Sequence, residues 1–171
     1  MLVQLPPNTT RVIELGGGTG ALTRALVDHG IAGRDLLVLE LNKELHTHLR
    51  LQFPDEVLVQ GDAVELPRLA ASTGFLANSP ADAVVSSLGL LAMGREQSVG
   101  ILRAAFECLR PDGRFIQFTY GPMSPISDGV LGSLGLNMRR GDFVLHNVPP
   151  ATVWVYQRNQ SKAIVPRSVN R

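Results

Sequence analysis

The chain has 171 residues, 44% hydrophobic and 18% charged, with a formal net charge of +1. That length suits one domain with a buried core, and that composition excludes a disordered chain. A near-neutral balance gives no global reason to expect nucleic acid, although Arg139-Arg140 and the tail residues Lys162, Arg167 and Arg171 are locally basic.

The lead, Met1-Leu2-Val3-Gln4-Leu5-Pro6-Pro7, lacks the basic opening and long apolar stretch of a secretion signal. Residues 11–15 read as a first strand. A helix is expected over 20–29, with Ala21, Leu22, Ala25 and Leu26 on one face and Gly30 and Gly33 ending it. Residues 35–40 form a near-continuous apolar strand, as expected where both sheet faces are buried. Asn42 can cap the next helix, with Leu45, Leu49 and Phe53 facing inward and Pro54 stopping it. Strands follow over 57–60 and 81–86. A helix over 95–109 carries the single cysteine, Cys108, in an apolar setting that predicts a core residue rather than a nucleophile. One thiol cannot form an internal disulfide, which points to a reducing cytoplasm.

Pro111-Asp112-Gly113 ends that helix, and residues 114–119 read as a fifth strand. A loop at 121–125, a short helix near 130–134, and strands over 137–148 and 152–158 joined by Pro149-Pro150 complete the pattern. Residues from 159 on read as a loose tail. No run approaches the roughly 18 consecutive apolar residues of a membrane span. Strands separated by helices imply an α/β fold: one Rossmann-like doubly wound sheet, mostly parallel, with helices on both faces. The last two strands lack a helix-length connection and are expected to be antiparallel.

The informative stretch is Glu14-Leu15-Gly16-Gly17-Gly18-Thr19-Gly20. A strand runs into a glycine turn and then a helix start. Glycine lets backbone approach a ligand, and the helix start offers unpaired N–H groups. In open α/β sheets the ligand sits beyond the carboxyl ends of the strands, where strand order reverses. Glu14, Glu40, Asp62, Ser86-Ser87 and Thr119-Tyr120 all fall at such ends. Gly16, Gly18 and Ala21 also satisfy the dinucleotide pattern G-x-G-x-x-A, so an NAD-dependent oxidoreductase stays open on the loop, and Glu40 suits a ribose in either reading.

Three features favour S-adenosylmethionine. Glu14 precedes the first glycine by two positions, where a carboxylate helps hold an ammonium group. Gly61-Asp62-Ala63 follows the third strand, and an acidic side chain there accepts a hydrogen bond from an adenine amine. The chain also closes with an antiparallel pair rather than a second βαβαβ half.

On these residues, with Leu39-Glu40-Leu41, the run Ala81-Asp82-Ala83-Val84-Val85-Ser86 and Leu109-Arg110-Pro111-Asp112-Gly113-Arg114, the chain resembles class I S-adenosylmethionine-dependent methyltransferases over residues 10–158. A narrower resemblance runs through Phe115-Ile116-Gln117-Phe118-Thr119-Tyr120-Gly121-Pro122, Ser124-Pro125, Val84 to Leu88 and Asn147 to Tyr156. Those segments are similar to the soluble bacterial phospholipid N-methyltransferases, which methylate the amine of phosphatidylethanolamine successively. The resemblance implies a lead at 1–10, a cofactor-binding domain at 11–158 and a tail at 159–171. It implies Gly16, Gly17, Gly18 and Gly20 against the methionine moiety, Glu14 toward its ammonium end and Glu40 on the ribose. It further implies Asp62 on adenine, Leu41 and Ala63 beside the ring, and Ser86 and Leu88 below the sulfonium. Tyr120 is the expected substrate-positioning residue, the alternative being an ordinary half-buried tyrosine. The loop with Pro122, Met123, Pro125 and Ile126 is expected to touch acyl chains.

The phospholipid enzymes carry helical sequence ahead of the first strand. Only ten residues precede Arg11 here, so a covering lid is expected to be truncated. Gly89 stands where those relatives more often have proline. No metal is expected, because His46 and His48 lie at i and i+2 and His29 and His146 are isolated. Two further rivals remain. A ribosomal RNA adenine N6-methyltransferase would place an amide and an aromatic ring after the fourth strand, where this chain has Ser86-Ser87-Leu88-Gly89. A cofactor-binding module that lacks its substrate lid is the other. The expected partner is a phospholipid amine, with a cytoplasmic location at or near the inner membrane surface and no nucleic acid.

Overall fold

The leucine- and valine-rich runs form seven strands, because each alternates its side chains between two apolar faces. The structure is a computed structural model that describes residues 1–144 and 151–159. The expected Pro149-Pro150 junction, His146 and the tail from 160 onward lie outside the described residues.

Strands β1 (Val12–Leu15), β2 (Leu36–Glu40), β3 (Val57–Gln60), β4 (Ala81–Ser86), β5 (Leu109–Tyr120), β6 (Leu136–Val144) and β7 (Ala151–Arg158) form one sheet in the order β3-β2-β1-β4-β5-β7-β6. β1 through β5 are mutually parallel, while β7 pairs antiparallel with both β5 and β6. The order reverses between β1 and β4, so the ligand crevice of an open α/β sheet falls above that pair.

Helices α1 (Ala21–Asp28), α2 (Lys43–Gln52), α3 (Leu66–Ser72), α4 (Arg95–Cys108) and α5 (Asp128–Ser133) cover the sheet. Ile13, Leu37, Val84 and Phe115 belong to one buried cluster with Leu66, Ile101 and Val130 of α3, α4 and α5. Val12, Val38, Ala83 and Ile116 belong to a second cluster with Leu26 and Leu49 of α1 and α2. The split follows the period-two alternation of a strand. Cys108 is buried, and burial pushes its thiol up to about 12, so it serves the core.

The structure adjusts several expectations. α3 has no counterpart in the sequence reading. It spans seven residues with Pro67 in its first turn, too short to display a helical period. α1 buries Thr23 and Leu26 rather than a face that includes Ala21, which is exposed. β5 begins at Leu109, five residues early. Its register with β4 jumps from Ala81↔Leu109 to Ala83↔Arg114, so residues 110–113 bulge out of the ladder. α5 begins at Asp128, two residues ahead of its expected position.

The lead does not reach the cofactor side. Leu5 packs in the α1–α2 cluster, the Gln4 and Leu5 carbonyls accept from Arg114 Nη1, and the Thr10 and Arg11 N–H groups donate to Asp82 Oδ2. Burial by itself would raise the Asp82 carboxyl. Those N–H donors and the Arg110 guanidinium outweigh it and hold the group below the usual carboxylate range. Among the described residues no helix is long and apolar enough to cross a membrane.

Candidate active site

The turn after β1 is shaped by its glycines. Gly16, Gly18 and Gly20 have φ of +79°, +55° and +85°, a region L-residues with a Cβ rarely adopt. Gly17 needs its missing side chain for space: a Cβ there would lie 2.6 Å from Val38 Cγ1 and 2.7 Å from Leu49 Cδ1. The Gly16 N–H donates to the Leu39 carbonyl at 2.8 Å, which ties the turn to the end of β2.

Glu40 closes β2 and organises the loop. One carboxylate oxygen accepts from the Gly18 N–H and the other from the Asn42 N–H, both at 2.8 Å, and the side chain is 8% exposed. Asn42 in turn caps α2 as expected, accepting from the Glu44 and Leu45 N–H groups. Asp62 follows β3, where Oδ1 accepts from the Val64 N–H at 3.0 Å, leaving Oδ2 without a donor among the described residues. Gly61 allows that turn to close, since a Cβ would lie 2.5 Å from Leu69 Cδ1.

These tips meet in one cleft. Gly16, Glu40, Leu41, Asp62, Ala63 and Leu88 line it, as the sequence reading placed them. Met93, Gln97 and Ile101 complete it from α4 and the segment before it. The sequence reading missed these three, since nothing local marks a helix side chain as reaching across to another strand's tip.

Five expected residues do not line the cleft: Gly17 and Gly18 stay within the turn, and Glu14, Ser86 and Gly20 are buried behind it. Glu14 is fully buried. Its Oε2 accepts from Thr23 Oγ1 at 2.7 Å, and its Oε1 is buried with no partner among the described residues. Burial raises this carboxyl to about 8, with a further push from the Glu40 charge and a smaller opposing pull from Thr23. Ser86 is also fully buried, and its Oγ accepts from the Leu88 N–H at 3.3 Å, so it shapes the turn that presents Leu88. Gly20 is the N-cap of α1, with Phe53 and Gln52 filling the space where its side chain would be. Thr23 is a residue the sequence reading did not single out. Its signal was a polar residue on an inward helix face, nine positions from the carboxylate it meets.

Beyond the cleft, Tyr120 ends β5. It is 58% exposed, packs edge-on against Phe118 at 5.1 Å, and lines an adjoining cavity of about 240 Å³. Leu88 lines both spaces.

A sheet of this order with its reversed seventh strand, a glycine cradle at the first strand and acidic tips on the second and third defines a class I S-adenosylmethionine-dependent methyltransferase. The sequence comparison agrees: the family model described as a methyltransferase domain matches residues 13–115, and the chain belongs to that family. The chain is 30% identical over 118 residues to the ornithine lipid N-methyltransferase of Singulisphaera acidiphila, covering 67% of this chain and 60% of that one. It is 40% identical over 79 residues to a probable ribosomal RNA small subunit methyltransferase A of Natronomonas pharaonis, covering 43% of this chain and 27% of that one. The chain thus spans under two thirds of either relative. An S-adenosylmethionine-dependent methyltransferase from Mesorhizobium loti shares the fold, with a TM-score of 0.66 at 16% identity over 91% of this chain and 95% of that one.

The cofactor of this family is S-adenosylmethionine, and the cleft suits it. The donor-free Asp62 Oδ2 and the Glu40 carboxylate present acceptors to a group rich in N–H and O–H donors, and Leu41 and Ala63 offer apolar walls for a flat ring.

Proposed function

We propose that the protein N-methylates the amine of a phospholipid such as phosphatidylethanolamine, or of a related aminolipid. Support comes from one spatial relation. Tyr120 lines an apolar cavity that shares Leu88 with the cofactor cleft. The lipid-acting relative from Singulisphaera acidiphila and the likeness around residues 115–125 point the same way.

In this reading Glu40 orients the ribose, Asp62 reads adenine, and the 16–18 backbone lies against the amino-acid end. Glu14 braces the underside of the loop through its hydrogen bond with Thr23 rather than touching the cofactor, consistent with its full burial. The bound cofactor supplies an activated methyl group on a sulfonium. The protein's own task is to align the acceptor nitrogen and exclude water. The Tyr120 ring attracts the cationic head as it enters. After the ammonium has passed its proton to solvent water, the Tyr120 hydroxyl oxygen accepts an N–H of the neutral amine, which leaves the lone pair free to face the methyl group. The ribosomal RNA reading is disfavoured because Ser86-Ser87-Leu88-Gly89 carries neither the amide nor the ring that would hold a flipped base.

The test is incubation with methyl-labelled cofactor and phosphatidylethanolamine liposomes. Label in mono- and dimethylated lipid supports the proposal. Tight cofactor binding with label in neither lipid nor RNA would instead support a cofactor-binding module.

A further inference from the structure

A second cavity, of about 280 Å³, lies on the acceptor side between the start of α4 and the 125–130 segment. Leu90 and Leu91 line both it and the Tyr120 cavity, and Met93 lines both it and the cofactor cleft. Val99, Pro125, Ile126 and Val130 add apolar lining, and Ser98 and Ser127 are its remaining polar residues. Leu91, on its lining, is 49% exposed. Arg95 is the one charged residue lining it. It is exposed and has no ion pair or hydrogen bond among the described residues. The neighbouring acidic residues Glu96 and Asp128 do not line the cavity.

An unpaired guanidinium at the rim of an apolar cavity complements a ligand that joins an anion to a hydrocarbon chain. The planar fork binds a phosphate or carboxylate through paired N–H groups, and the chain fills space that water occupies poorly. A bare apolar chain would leave Arg95 unused, and a small anion would leave the cavity unfilled.

We propose that this cavity is the anion-and-chain site of the methyl acceptor. Arg95 holds a phosphate or carboxylate, and the Leu90–Val130 cavity takes the first part of the attached apolar chain. The inference rests on the lipid-amine reading above and deepens it. It makes the acceptor a zwitterionic amphiphile, with its amine at Tyr120 and its anion at Arg95, the two cavities sharing Leu90 and Leu91.

The test measures binding to the protein saturated with S-adenosylhomocysteine, by calorimetry below micelle concentration, using dodecyl phosphate, dodecanoate and dodecyltrimethylammonium. Either anionic probe should bind at least about tenfold more tightly than the cationic one, and which of the two binds better identifies the anion. Arg95→Gln should remove that preference while leaving S-adenosylhomocysteine affinity unchanged. Leu91→Glu, at a half-exposed position, should weaken the anionic probes. Equal binding of anionic and cationic probes, or a preference that survives Arg95→Gln, would overturn the proposal. The two readings fail separately. Anion preference without methylation of any lipid amine removes the acceptor assignment and keeps this site. Methylation of phosphatidylethanolamine with an Arg95→Gln KM equal to that of the parent removes this site and keeps the acceptor.

Discussion

Replacing Glu14 by glutamine probes the buried carboxyl under the glycine loop. Burial and the Glu40 charge lift this group from 4.5 to about 8, so the folded protein holds its proton more tightly than the unfolded chain does. Below about pH 4.5 both states are protonated and the group's full contribution to stability is present. As pH rises from there through about 8 the unfolded chain ionises first and stability is lost. Above that range both states are ionised and no further loss accrues. At about 1.36 kcal/mol per unit, the interval sets a ceiling of roughly 5 kcal/mol. Relaxation and water entry bring the expected loss to about 2–4 kcal/mol. Glutamine cannot ionise, yet its carbonyl still accepts from Thr23. Urea unfolding of both proteins between pH 5 and 9 isolates the effect, because the other groups cancel in the difference. The variant should gain on the parent by about 2–4 kcal/mol between pH 5 and pH 8.5. A difference that stays flat within about 0.5 kcal/mol would refute the assignment of a proton to Glu14. Thr23→Val removes the hydroxyl that favours the ionised form, and should extend the loss to higher pH.

Asp62→Asn keeps the acceptor that caps Val64 but turns the free oxygen into a donor. It should weaken S-adenosylhomocysteine binding by about 1–3 kcal/mol in calorimetry, and unchanged affinity would remove Asp62 from the adenine site. Gly17→Ala forces a methyl against Val38 and Leu49 and should lower stability by about 1–3 kcal/mol; a melting temperature equal to the parent's would show that the α2 contact gives way freely. Tyr120→Ala should reduce turnover on liposomes while sparing cofactor affinity, with full activity excluding a role for the ring. Gly20→Ala places a Cβ at a φ of +85° and 2.6 Å from the Phe53 ring, and should destabilise by at least about 1 kcal/mol in the same melting assay.

Much of the architecture follows from local pattern. Apolar runs at 36–39 and 83–85 require burial on two faces, and glycine at 16, 18 and 20 requires a turn that other residues strain to make. The absence of a helix-length link before β7 made its antiparallel pairing readable. α3 was hidden because seven residues carry less than two full turns of periodicity. Its buried Leu66, Leu69 and Ala70, with Pro67 in the first turn, are consistent with a helix but do not by themselves demand one.

The cofactor cleft was legible because its residues follow directly on strand ends, so sequence position fixes spatial position: Glu40, Leu41, Asp62 and Ala63 are set by where β2 and β3 stop. Tertiary packing decided what the sequence could not carry. It turned Thr23 toward Glu14, sank Glu14 and Ser86 beneath the turn, and brought Met93, Gln97 and Ile101 over the cleft. It also brought the 125–130 segment, about thirty positions away, against Leu90, Leu91 and Val99 to form the cavity beside Arg95. Periodicity along one element records which face is buried. Which neighbour meets that face depends on how the elements pack across the sheet, and no local pattern encodes that.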